Sequence, residues 1–198
     1  VASPPVKVIA EVLGLPVLQP EKVRNQDFLD TFRTLAPDLV VVAAFGQILP
    51  GEIIHGPREG CINIHPSLLP KYRGAAPIHR ALIRGEETTG VTIMRMDEGV
   101  DSGDILLQEE TPIGPEENFG ELHDRLANMG ADLLLTALAM LRSGTLLPRP
   151  QDHRLATLAP RIGREEGRIR WDNDCRGIVS LIRGRSPVPC ACTFLDGK

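Results

Sequence analysis

Apolar positions fall along the chain with two distinct periods, and together they predict an alternation of strands and helices. After Pro37, the run Asp38 to Phe45 is almost continuously apolar and β-branched, which predicts a strand buried on both faces of a parallel sheet, ended by Gly46. Cys61 to His65 predicts a second strand. Pro66 follows it and cannot donate to a ladder, so the polar residues sit near that strand's carboxyl end. Gly90 to Met96 and Asp104 to Glu109 predict two more strands, separated by the polar, glycine-containing loop Asp97 to Gly103. The helical period is clearest from Asn118 to Arg142. Leu122, Leu126, Met129, Leu133 and Leu141 supply its stripe, Asn118 and Glu121 form a capping box, and Ser143-Gly144 stops it. Shorter helices are predicted after the opening Val1 to Val6 loop and near Asp174 to Arg183. The expected fold class is α/β.

Composition narrows the class without naming a function. The chain has 198 residues, 42% of them hydrophobic, enough for one sizeable core, and no apolar run approaches the roughly 18 residues of a membrane span. A cytoplasmic monomer without membrane contact is expected. Four cysteines, Cys61, Cys175, Cys190 and Cys192, lack the spacing of a disulfide framework, and the Cys190/Cys192 pair has no second ligand pair at zinc spacing, so no metal is expected. The net charge of −4 is uneven: residues 1–158 carry 14 Lys and Arg against 21 Asp and Glu, and residues 159–198 carry 8 against 5. A basic tail on an acidic body fits either a face turned toward a polyanion or a solvated surface with no partner. Lys71, Arg73, Arg80, Arg84, Arg183 and Arg185 are the residues expected to reach phosphates if the former holds.

Asn63-Ile64-His65 is the first candidate for chemistry. A strand's period of two points the Asn63 and His65 side chains to one face, where an amide and an imidazole converge. Asn can donate to a carbonyl oxygen, and His can donate or move a proton near neutral pH, so the pair suits acyl chemistry; it equally suits a structural hydrogen-bonding group. The remaining histidines, His55, His79, His123 and His153, have no partner at motif spacing and are expected in surface or packing roles. No phosphate-binding glycine loop or H-E-x-x-H motif occurs.

The block from Cys61 to Pro77, with Asn-Ile-His and Ser-Leu-Leu-Pro, followed by Thr89 to Asp104, with Asp-Ser-Gly-Asp, resembles the formyltetrahydrofolate-dependent formyltransferase family. Further likeness lies in Val41 to Pro50, Arg73 to Ile78 and Ala156 to Trp171, so it spans nearly the whole chain. The resemblance implies a Rossmann-like domain with a mostly parallel sheet over residues 1–158, and over 159–198 a linker and the start of a carboxyl-terminal region. It also implies that the family's first strand with its Gly-Thr-Pro loop, and a small carboxyl-terminal β-barrel, are missing here.

The roles it implies are specific. Asn63 binds the formyl oxygen, His65 stabilises the tetrahedral oxyanion and helps move the proton, and Asp101 orients His65 and relays a proton. Ser67, Leu68, Leu69 and Pro70 form the folate-binding loop, and Gln47, Ile48, Leu49, Glu98, Gly99 and Val100 line the pterin pocket. The formyl donor implied is 10-formyltetrahydrofolate. The acceptor implied is the α-amino group of initiator methionyl-tRNA, on the strength of Arg73 to Ile78 and the Arg-rich tail; amino-sugar or ribonucleotide formylation, formyl-folate hydrolysis and an inactive folate-binding fragment are the alternatives.

Overall fold

The computed structural model describes residues 3–194. Its elements run α1 (Pro5–Val12), α2 (Gln26–Leu35), β1 (Val40–Ala43), α3 (Gly51–His55), β2 (Cys61–His65), α4 (Pro77–Ile83), β3 (Thr88–Arg95), β4 (Ile105–Pro112), α5 (Phe119–Ser143) and α6 (Cys175–Arg185). The α/β class expected from the pattern is the one observed, and the four strands lie in chain order in one sheet.

Direction changes across that sheet. β1 and β2 are parallel, as the resemblance implies, whereas β2 with β3 and β3 with β4 are antiparallel. The reason for the last pairing is connection length. Only residues 96–104 join β3 to β4, and a parallel crossover needs about a dozen residues or more. β1 also differs from the expected strand: it is four residues long, alternates between half-buried and exposed, and leaves Val41 41% exposed. Among the described residues β1 pairs on one edge, with β2, and α5 packs on β2, β3 and β4.

α5 builds the core. The Asn118 carboxamide accepts from the Glu121 N–H at 3.2 Å while the Glu121 carboxylate accepts from the Asn118 N–H at 3.0 Å, so the expected capping box is closed. Gly144 ends the helix in the left-handed conformation, φ +70°. Leu122, Leu126, Leu133 and Ala137 face inward against Ile62, Val91 and Ile93 of the sheet. Gly130 lies over the sheet, where a Cβ would stand 2.9 Å from Ile64 and 3.5 Å from Val91. One face of β2 and β3 is therefore committed to α5. The opposite face, with Asn63 across from Met94 and His65 across from Thr92, is left to the loops.

Gly130→Val forces β2 and β3 away from α5 and is expected to cost about 1–3 kcal/mol of stability. Urea unfolding checks this, and a midpoint equal to that of the native sequence would show that Gly130 is not a close-packing position.

Candidate active site

His65 ends β2, and the chain then turns back over it. Residues 66–76 form a loop that brings the Tyr72 carbonyl within 2.9 Å of His65 Nε2. Reaching that position requires left-handed backbone at Tyr72, φ +63°, and an even more open turn at Gly74, φ +118°, where a Cβ would lie 2.9 Å from the Ala159 carbonyl. The turn is held from outside by residues 157–159. Tyr72 N–H donates to Thr157 Oγ1, Arg73 N–H to the Thr157 carbonyl, Ala159 N–H to the Arg73 carbonyl and Ala76 N–H to the Ala159 carbonyl.

A carbonyl only accepts, so His65 Nε2 carries a hydrogen. The neutral ring then presents a bare Nδ1, and 3.6 Å from it stands Oδ2 of Asp101. That oxygen also accepts from the Gly74 N–H at 2.8 Å. A lone pair facing a carboxylate is a place for a proton, or for an N–H of a bound molecule, and Nδ1 is the nitrogen that can exchange one. His65 is 3% exposed. Burial pushes its pKa below the ordinary histidine value, opposed by the Asp101 charge and the Tyr72 carbonyl. Burial thus favours the neutral ring, while the carboxylate and the carbonyl favour its cation.

Asn63 sits on the same face of β2, half-buried, and no group among the described residues hydrogen-bonds its carboxamide. The structure thus gathers the three residues expected to carry chemistry at the carboxyl end of β2. Chain spacing could not have linked Asp101 to His65.

The expected folate-lining residues divide into packed and open groups. Ser67 is buried, its hydroxyl donating to the Lys71 carbonyl, and Leu69 is buried against Met94 and Ile105. Both shape the loop; Leu68 and Pro70 are half-buried beside them. Thr92 and Gln108, absent from the residues expected at the site, pin this loop. Thr92 Oγ1 donates to the Ser67 carbonyl at 2.6 Å, Leu69 N–H donates to Thr92 Oγ1, and Gln108 Nε2 donates to the Leu69 carbonyl. The signal for Thr92 is a polar residue inside an otherwise apolar run, Val91-Thr92-Ile93.

Gln47, Ile48 and Leu49 follow β1, and Glu98, Gly99 and Val100 precede Asp101. Gln47 bonds Val23 N–H and the Glu21 carbonyl through its amide, whereas Ile48 is 77% and Val100 67% exposed. Gly99 N–H donates to Asp97. His55, expected without a partner, stands 2.6 Å from Glu98 and ties α3 to the 98–100 loop. His79 also differs from a free surface residue: it stacks on Phe119 at 3.7 Å, and Nδ1 bonds the Gly184 carbonyl.

Most of the arginines expected at phosphates are occupied by their own chain. Arg73 is 9% and Arg185 1% exposed. Arg80 pairs with Glu166, and Arg183 donates to the Glu117 and Gly114 carbonyls. Arg84 lies over the Tyr72 ring, and Lys71 is exposed. Local charge counts cannot separate such structural guanidinium groups from free ones, because a guanidinium satisfies backbone carbonyls as readily as phosphates.

Comparison with known proteins matches residues 1–138 to the formyl transferase model and residues 161–198 to the formyl transferase carboxyl-terminal domain. A methionyl-tRNA formyltransferase of Syntrophus aciditrophicus is 57% identical over 99% of this chain and 63% of its own length. One from Halalkalibacterium halodurans is 51% identical over 98% of the chain and 62% of its own length. The chain thus spans somewhat under two thirds of the curated relatives it matches. Among solved structures, a sugar N-formyltransferase from Shewanella superposes with a TM-score of 0.77 at 25% identity, covering 98% of this chain and 76% of that one. HypX from Aquifex aeolicus, in complex with tetrahydrofolic acid, superposes with a TM-score of 0.74 at 22% identity, over 86% of this chain and 29% of that one.

The buried histidines set an expected pH dependence of stability. The pKa values of His65 and of His79 are both depressed, chiefly by burial. The unfolded chain therefore binds more protons at these sites than the folded one once pH falls into the ordinary histidine range, and stability falls with it. The melting temperature is expected to drop between about pH 7.5 and about pH 5.5, and His65→Gln or His79→Gln to flatten that slope. An unchanged slope in both variants would contradict the assignment.

Proposed function

The chain belongs to the formyl transferase family, and on that premise we propose that it transfers the formyl group of 10-formyltetrahydrofolate to the α-amino group of initiator methionyl-tRNA. The observation that carries the reading is the His65–Asp101 pair at the end of β2, with an unengaged Asn63 on the same face of that strand. Support for this acceptor comes from the relatives named methionyl-tRNA formyltransferase.

The reaction asks for little activation of the nucleophile. An α-amino group has an unperturbed pKa of about 8, so an appreciable fraction is already neutral at pH 7, and positioning matters more than a strong base. The amine attacks the formyl carbon, and negative charge develops on the formyl oxygen. The Asn63 side-chain N–H donates to that oxygen. The proton leaving the amine nitrogen passes to the bare His65 Nδ1 beside Asp101, and the ring, now cationic, donates from the same nitrogen to the oxyanion. Collapse re-forms the carbonyl, breaks the bond between carbon and the folate nitrogen, and returns the proton to that nitrogen. Asp101 favours the cation while it lasts.

The pterin of the donor lies against the exposed apolar side chains of Ile48 and Val100, with Gln47, Leu49, Glu98 and Gly99 around them. Ser67, Leu68, Leu69 and Pro70 shape the loop against it. Residues 1–158 are the formyl-transfer domain and 159–198 the linker and start of the carboxyl-terminal region. The protein acts as a cytoplasmic monomer, with Lys71 and Arg84 the remaining candidates for tRNA phosphates.

His65→Ala is expected to lower single-turnover formyl transfer on the order of a hundredfold, the effect of removing one oxyanion donor worth roughly 3 kcal/mol, with donor binding retained. The assay runs the full chain with 10-formyltetrahydrofolate and either methionyl-tRNA or a nucleotide-linked amino sugar. Native turnover in His65→Ala would remove His65 from the mechanism, and transfer to the sugar alone would move the protein to the other branch of the family.

A further inference from the structure

Gln151 lies outside the strands and helices, yet it is only 5% exposed, and its amide is saturated. Nε2 donates to the Asp101 carbonyl at 3.0 Å and to the Gly103 carbonyl at 2.7 Å. Oε1 accepts from Arg73 Nε at 3.2 Å and Nη2 at 2.7 Å. One side chain thus holds two carbonyls of the Asp101 loop and is itself held by a buried arginine. That arginine also reaches His153 Nδ1 at 3.0 Å.

The consequence appears when the neighbours of Arg73 are followed. Tyr72 supplies the carbonyl on His65 Nε2, and Gly74 supplies the N–H on Asp101 Oδ2. The residues form a closed ring: His65 to Tyr72, along the chain to Arg73, across to Gln151, on to Asp101, and back to His65. Asp101 adopts φ +49°, a conformation that an aspartate holds at a cost and that persists where its surroundings over-determine it. The carboxylate is fixed by Gly74 and the main chain by Gln151.

We propose that Gln151 is a positioning residue of this centre, setting the approach of the Asp101 carboxylate to His65 through the two carbonyls it grips. The inference rests on the role given above to His65 and Asp101. The folate-lining loop is held separately, by Thr92 and Gln108, so loss of Gln151 acts on the His65–Asp101 pair and leaves that loop in place.

The test is the titration of the His65 ring by NMR in the full chain, for the native sequence, Gln151→Met, Asp101→Asn and the double variant. The Asp101 charge raises the His65 midpoint against the effect of burial, so a displaced carboxylate lowers it. Gln151→Met is expected to lower the midpoint by about half or more of the Asp101→Asn shift, and to add nothing in the Asp101→Asn background. Should Gln151→Met not fold, Gln151→Asn, whose amide is one methylene too short to keep both the Asp101 and the Gly103 carbonyls, takes its place under the same criterion. An unmoved midpoint, or an equal displacement in both backgrounds, overturns the proposal. The titration needs no formyl transfer, so native turnover in His65→Ala would overturn the proposed reaction while leaving this result standing.

Discussion

The His65 imidazole is gripped from two sides, by a backbone carbonyl that dictates which nitrogen bears hydrogen and by a carboxylate that faces the other. The rest of the site depends on that grip. The Tyr72 carbonyl can arrive only if the loop after β2 doubles back, and it can do so only through positive φ at Tyr72 and Gly74. Residues 157–159 then stitch the doubled-back segment in place with backbone hydrogen bonds. Those residues lie more than 80 positions from Tyr72, so a segment distant in sequence becomes part of the local geometry at His65.

Strain and its compensation lie in the same place. Tyr72 and Asp101 both hold left-handed conformations, which cost about 1–3 kcal/mol each for residues other than glycine. Both are met by contacts that fix them: Thr157 on the Tyr72 N–H, Glu86 on the Tyr72 hydroxyl at 2.5 Å, and Gln151 and Gly74 on Asp101. The Tyr72 phenol is pushed up to about 12, by burial first and then by Glu86, so its hydroxyl remains a donor. The two faces of β2 divide the labour, with Ile62 and Ile64 packing toward α5 while Asn63 and His65 face the loops.

How much of this could be read in the sequence varies with the range of the interaction. Asn63 and His65 were legible because a period of two is local, and α5 was legible down to its cap because Asn118 and Glu121 are three residues apart. The burial of β1 was overestimated, since a β-branched run reads alike whether one or both faces are covered, and Val41 is left 41% exposed. α2, α3 and α4 carry no helical stripe as long as that of α5, and α3 and α4 span only five and seven residues, too short for a period of 3.6 to show. Asp101 came from family resemblance and Gln151 from neither source, because a link across 50 residues leaves no mark in periodicity. The arginines were misjudged for the same reason: charge is visible in a sequence, whereas the carbonyl or carboxylate that already occupies it is not.

The central claim, that the Tyr72 carbonyl fixes the tautomer of His65 and leaves Nδ1 as the proton-exchanging nitrogen, is open to one direct measurement. A long-range proton–nitrogen correlation spectrum of the ¹⁵N-histidine-labelled protein, recorded where His65 is neutral, reports which ring nitrogen carries hydrogen. The account predicts a protonated Nε2 and a bare Nδ1. A His65 found with hydrogen on Nδ1 and none on Nε2 would contradict it.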